Sequence, residues 1–233
     1  MDILKEYILS LGADIVGYAD LSAIPSDYRS SLPYGISIGI ALNSSVVEKI
    51  PSGTAILEYS NEYESINTKL DQICVLVSEF IQDNNYHALP QTISFVQVQR
   101  STNGTEYIPG RALLPHKTVA AISGIGWISK SSLLITPQYG SALRLTSVLT
   151  DMPLDVVKTD YQCKCGECTL CIDACPGNVI KNRIWDVAVD RDDLIDFSAC
   201  RKVTLSRGKE YGRTSGTCGI CVAVCPYTRK HLS

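Results

Sequence analysis

The sequence predicts an α+β protein in two parts, a mixed domain over residues 1–160 and a small cysteine-rich domain over residues 161–233. Three observations predict it. Nine of the ten cysteines lie after position 160. Before that point helix-spaced and strand-spaced apolar segments are mixed without a regular βαβ repeat, which favours a layered α+β arrangement over a doubly wound sheet. The charge balance also changes sign there. Residues 1–160 hold 10 Lys and Arg against 16 Asp and Glu, and residues 161–233 hold 11 against 8.

The elements follow in chain order. Ile3, Leu4, Tyr7, Ile8 and Leu11 are spaced as one helical face that stops at Gly12. Residues 14–18 predict a short strand, and Ile36 to Leu42 is an apolar run of strand length. The clearest helix spans about 61–83, where Tyr63, Ile66, Leu70, Ile73, Val77 and Phe80 recur every three or four residues. Cys74 falls on that face and reads as a small buried core residue. Ile93 to Val98 alternates as a strand does. Residues 116–123 predict a short helix ending at Gly124. Leu133 to Thr136 and Leu143 to Leu149 predict two strands around a Tyr139-Gly140-Ser141 turn.

Composition excludes several classes. A formal net charge of −3 favours neither nucleic acid nor an anionic membrane surface. No apolar run approaches the roughly 18 residues of a membrane span. Met1 to Glu6 lacks the basic-then-apolar order of a signal peptide. A cytoplasmic location without membrane contact is expected, and there crowded cysteines point to metal, not disulfides.

The spacing says which metal. Cys165-x2-Cys168-x2-Cys171-x3-Cys175-Pro176 has the run of bacterial two-cluster ferredoxins, in which three thiolates grip one cubane and the fourth reaches the other. The second half, Cys218-x2-Cys221-x3-Cys225-Pro226, is one cysteine short, and Cys200 lies upstream to supply it. Two [4Fe–4S] clusters result. Cluster one takes Cys165, Cys168, Cys171 and Cys225; cluster two takes Cys175, Cys200, Cys218 and Cys221. Cys163 is left over, as a bystander or as a substitute for Cys165. Zinc is the competing reading, but zinc sites use paired knuckles in place of this continuous run. Within residues 197–233 seven basic residues face one acidic residue. That stretch is either a solvated face or a docking surface for an acidic electron carrier, such as a flavodoxin or ferredoxin, or for a phosphate-bearing partner.

Gly124-Ile125-Gly126-Trp127-Ile128 with Lys130, Gly140-Ser141, Leu149-Thr150-Asp151, the first cysteine run, the isolated Cys200 and Cys218 to Tyr227 together resemble the epoxyqueuosine reductase family. That family of iron–sulfur and cobalamin proteins is related to the reductive dehalogenases. The resemblance runs from about residue 110 to 230, with weaker support at Gly12 to Gly17. It implies a nitroreductase-like N-terminal domain, a ferredoxin-like domain after it, and a base-off corrinoid (cobalamin) between them. It also implies two departures. The family's Asp-Ser/Thr-Ala-Pro segment, whose Asp is the proposed proton donor, would fall near Gly110, where Pro109-Gly110-Arg111-Ala112 offers no carboxylate and Glu106 is the nearest acid upstream. The sequence also stops at Ser233, without the family's C-terminal helical repeats. Both departures favour a small or nucleoside-like substrate other than epoxyqueuosine, with tRNA not expected.

Gly124-x-Gly126-x-x-Ser129 lacks the third glycine of a dinucleotide loop and follows a helix, so NAD is not indicated. No Walker loop is present. Among the three histidines, His116 is the candidate catalytic proton donor, because imidazole titrates near neutrality; the alternative is a capping or exposed residue. No Asp-x-His-x-x-Gly segment exists, so a corrinoid would be held without histidine. Lys117, Lys130 and Arg144 are candidates for its amide and phosphate groups, or else surface charges. Trp127, Ser129, Ser131, Gly140 and Ser141 complete the candidate cofactor-facing set. Two functions follow: a corrinoid-dependent reductase fed by two clusters, or a non-enzymatic electron carrier or reductive activator of a partner.

Overall fold

The structure, a computed structural model, describes residues 2–92, 112–186 and 188–232. The expected strand at Ile93 to Val98, and the positions around Glu106 and Gly110, lie outside the described residues.

Helix α1 (Ile3–Ser10) starts at Asp2, whose carboxylate accepts from the Lys5 amide at 3.0 Å, and it buries Leu4 and Ile8. Strand β1 (Ile15–Asp20) pairs antiparallel with β2 (Tyr34–Ala41), Ile15 opposite Gly39 and Asp20 opposite Tyr34. Helix α2 (Ser44–Lys49) is capped by Asn43. Helix α3 (Ile56–Asp83) is 28 residues long and begins five residues before the expected start. The buried Ile56 and Tyr59 extend its apolar face backwards at the same helical spacing. Strand β3 (Ala88–Pro90), helix α4 (His116–Ile122), the paired β4 (Trp127–Ile128) and β5 (Leu134–Ile135), and β6 (Leu143–Thr150) follow. The last part holds α5 (Leu170–Asp173), α6 (Arg191–Leu194), α7 (Phe197–Lys209), α8 (Ile220–Ala223) and α9 (Pro226–Leu232).

Neither α2 nor β3 is legible in the sequence. Six and three residues are too few for a period to show, and Pro90 is tolerated because β3 is an edge strand among the described residues.

The chain divides into two compact units. The first comprises residues 1–40, 66–125 and 144–160; the second comprises 41–65, 126–143 and 161–233. The seam expected after Asp160 is one of the crossings, and residues 41–65 and 126–143 group with the cysteine-rich segment.

The first unit is built on a four-stranded sheet of order β1-β2-β6-β3. One face carries Leu4 and Ile8 of α1 together with Leu70, Ile73, Cys74, Val77 and Ile81 of α3. The other face packs Ala19, Leu21 and Leu149 against Leu114 and against Val119 of α4. Burial on both faces explains why β2 reads as a continuous apolar run rather than an alternating one. Cys74 is buried, as expected, and its thiol donates to the Ser147 carbonyl at 3.2 Å. Burial pushes that thiol up to about 12, so it stays protonated and structural.

In the second unit, α2 rests on α8 and α9, and α5 rests on α8. The N-terminal turns of α3 are tied in by Ser60, whose hydroxyl meets Thr217 at 3.0 Å, and by Asn61 and Glu64, which bind Arg213. Those contacts give residues 41–65 their place in this unit.

Candidate metal centre

The first cysteine run is shaped by a turn and a single helical turn. The Cys168 amide donates to the Cys165 carbonyl at 3.0 Å, closing a turn through Gly166, and Cys171 lies within α5. Cys200 occupies the first turn of α7, which Asp196 caps by accepting from the Ala199 amide at 2.9 Å. Cys221 is in α8. Cys225 precedes Pro226, the first residue of α9, where the missing N–H costs no helical hydrogen bond.

The thiols of the two runs influence one another. Burial pushes Cys171 up to about 11, and the neighbouring thiols of Cys165, Cys225 and Cys168 push it further. Burial also raises Cys200, and after burial its raising neighbours are Cys218, Cys175 and Asp196. Cys221 is raised by burial and then by Cys218, Cys200, Cys171 and Cys175. Cys225, raised by burial against the opposing Thr228 and Tyr227 amides, also feels Cys165. Thiols of the two runs thus feel one another: Cys171 feels Cys225, Cys200 feels Cys175, and Cys221 feels both Cys171 and Cys175. Half-buried thiols that repel one another when ionised are a fit for iron, which neutralises four thiolates at once. Among the described residues no three His, Cys, Asp or Glu side chains form a site for a single metal ion. A cubane spreads its four thiolates over a wider frame than one ion does.

Cys163 lies against Cys165. Its thiol and that of Cys165 share a hydrogen bond, which draws Cys163 down and pushes Cys165 up. Lys130 draws both down.

The remaining predicted residues divide between the units. In the second unit, Trp127 is buried, with its ring 4.8 Å from Tyr227 at 78° and the Lys164 ammonium 5.2 Å from its centroid. Its indole Nε1 is buried and has no hydrogen-bond partner among the described residues. Ser129 and Ser131 are 2.9 Å apart at their hydroxyls, and Ser129 also donates to the Leu133 carbonyl at 3.0 Å. The Lys130 ammonium donates to the Cys168 carbonyl at 3.3 Å. Gly140 has φ +56°, and a Cβ there would stand 2.2 Å from the Thr228 amide nitrogen. The Ser141 amide donates to the Thr228 hydroxyl at 3.0 Å. These contacts join the 126–143 segment to the cysteine loops. In the first unit, His116 opens α4 with Nδ1 2.8 Å from the Ser147 hydroxyl, and Lys117 follows it. The Arg144 Nε donates to the Asn67 side chain at 3.0 Å.

The sequence reading missed Thr228, which receives the Gly140-Ser141 turn, and Lys164, which covers Trp127. A lone threonine inside a helix and a lysine between cysteines carry no pattern that would single them out.

Residues 164–228 match the 4Fe–4S double cluster binding domain family. Over 97% of its length the chain is 23% identical to an epoxyqueuosine reductase of Pseudomonas aeruginosa, covering 68% of that protein. Over 84% it is 27% identical to the tetrachloroethene reductive dehalogenase of Sulfurospirillum multivorans, covering 36% of it. The chain is similar to epoxyqueuosine reductases and to a reductive dehalogenase. Its fold agrees. A catabolic reductive dehalogenase superposes with a TM-score of 0.73 at 17% identity over 98% of this chain and 32% of that one. An epoxyqueuosine reductase in complex with a tRNA stem loop superposes at 0.57 and 19% over 99% of this chain and 66% of that one. Against other epoxyqueuosine reductases the chain spans 51% of two and 29% of a third. The α+β class and the double-cluster segment expected from the sequence both stand. No helix among the described residues is long and apolar enough to cross a membrane.

Proposed function

We propose that this epoxyqueuosine reductase-like chain is an iron–sulfur redox protein that supports a corrinoid-dependent reduction. Cys165, Cys168, Cys171 and Cys225 hold one [4Fe–4S] cluster, and Cys175, Cys200, Cys218 and Cys221 hold the other. The observation that carries this reading is the match of residues 164–228 to a double cluster binding domain, a stretch that contains all eight of these cysteines. The clusters supply one-electron transfer and a bound cobalamin would supply a strongly reducing cobalt centre.

The chain's own residues take the other roles. The relatives' reductive chemistry and the Trp127 indole N–H, a donor without a partner among the described residues, support a cofactor-facing role for the Trp127 to Ser131 segment. Lys117 and Arg144, of the first unit, are assigned to polar groups of a ligand. His116, oriented by Ser147, is the proton donor. The first unit's sheet with helices on both faces is consistent with a nitroreductase-like domain. The exposed Arg201 and Lys202, next to Cys200 on α7, suit an acidic flavodoxin or ferredoxin as electron donor. The substrate is a small or nucleoside-like molecule other than epoxyqueuosine, and tRNA is not required.

One observation favours the second reading, an electron carrier without corrinoid. Lys130, Ser129, Ser131 and Ser141 already spend hydrogen bonds within the protein. The visible spectrum of the anaerobic, cluster-loaded protein after addition of cobalamin and gel filtration separates the two. A retained, base-off corrinoid supports the reductase. A protein free of corrinoid after filtration overturns it and leaves the carrier.

A further inference from the structure

We propose that Lys130 sets the reduction potential of the cluster held by Cys165, Cys168, Cys171 and Cys225, making it the higher-potential cluster of the two. The inference rests on the two-cluster reading above and adds a cation dedicated to one cluster.

Lys130 is 5% exposed, and among the described residues it is the one Lys, Arg, Asp or Glu that is buried. No carboxylate pairs with it among the described residues; its ammonium reaches only the Cys168 carbonyl, at 3.3 Å. A buried ammonium held by one neutral carbonyl is costly, so the site calls for a neighbouring negative charge. Four thiolates around a cubane supply one. The loop that carries Lys130 is fixed. Ser129 N–H donates to the Leu133 carbonyl and Ser132 N–H to the Ser129 carbonyl, each at 2.9 Å, closing the turn between β4 and β5.

The sign follows from charge. Reduction adds one electron to a cluster that is already negative, and no bond forms or breaks. A positive charge shielded from water stabilises the reduced form more than the oxidised one and raises the midpoint. Around Cys200 the neighbouring cations Arg201 and Lys202 are exposed, and solvent and salt screen them. Electrons arriving at the Cys200 cluster from the basic face therefore settle on the Lys130 cluster. Lys130 acts through the ligand loop, as a positioning and tuning residue.

The test is a potentiometric titration of the full chain, reconstituted anaerobically, with dithionite as reductant and electron paramagnetic resonance as readout. Wild type is compared with Lys130→Gln, Lys130→Met and Lys130→Arg. The expected result is two midpoints in wild type. Both neutral variants lower the higher one by at least a tenfold change in the reduced-to-oxidised ratio, about 59 mV for one electron. The lower midpoint stays in place, and Lys130→Arg keeps the wild-type values. Neutral variants with about eight irons and unmoved midpoints overturn the proposal. If neither neutral variant takes up its iron, wild type decides: separated midpoints uphold the proposal and coincident ones overturn it. Wild-type protein that holds only about four irons overturns the two-cluster reading instead.

Discussion

Gly140 does two things that no other residue type does at its position. Its φ of +56° is in the left-handed region, and its missing side chain lets the Thr228 backbone approach to where a Cβ would be 2.2 Å away. Gly140→Ala is expected to cost about 2–4 kcal/mol, adding left-handed strain to overpacking against backbone. Urea unfolding measures it, and an unchanged midpoint would contradict the packing described. Cys200 and Cys163 differ in the opposite sense. Cys200→Ala should lower iron content from about eight to about four per chain, while Cys163→Ala leaves it at about eight. The cysteines were legible from sequence because a cubane fixes the spacing of its ligands along a tight loop. Lys130 was legible only as a charge near a Gly-Trp turn. Its direction, toward the Cys168 carbonyl, is a tertiary fact that no local pattern encodes.

Helix α7 shows what an element contributes to the site. It presents Cys200 from its first turn, and the Asp196 cap holds that turn in place. Asp196→Ala should cost about 0.5–2 kcal/mol and speed the loss of cluster absorbance under air, because the cap and a cluster ligand share one helical turn. The N-terminal half of α3 depends instead on an ion pair. The Arg213 guanidinium beside Glu64 holds that carboxyl below the usual carboxylate range. A lowered folded value means the contact is fully present above the unfolded value of about 4.3 and is lost as pH falls through the folded one. Arg213→Ala should therefore flatten the acid side of the stability profile while changing little in its shape at neutral pH. Urea midpoints taken between pH 7 and pH 3 check this; parallel profiles for the two proteins would contradict it. Long elements were readable because a helix of 28 residues repeats its apolar period many times. The short α2 and β3 were not, and their places are set by packing.

At the scale of the whole molecule, sequence order and spatial grouping part company. A single seam after Asp160 is the natural reading of a charge and cysteine gradient. The compact units instead interleave, with residues 41–65 and 126–143 joining the cysteine-rich segment. Hydrogen bonds such as Ser141 to Thr228 and Ser60 to Thr217 span long stretches of sequence, and composition cannot announce them. The similarity to epoxyqueuosine reductases and a reductive dehalogenase was readable from the Gly-Trp element and the cysteine order together. What those relatives share with this chain is a fold and a double-cluster segment, and everything proposed about electron flow depends on two clusters being held. The most direct test is the iron and acid-labile sulfide content of the anaerobically reconstituted protein. The account predicts about eight of each per chain. About four of each, or zinc in place of iron, would contradict it.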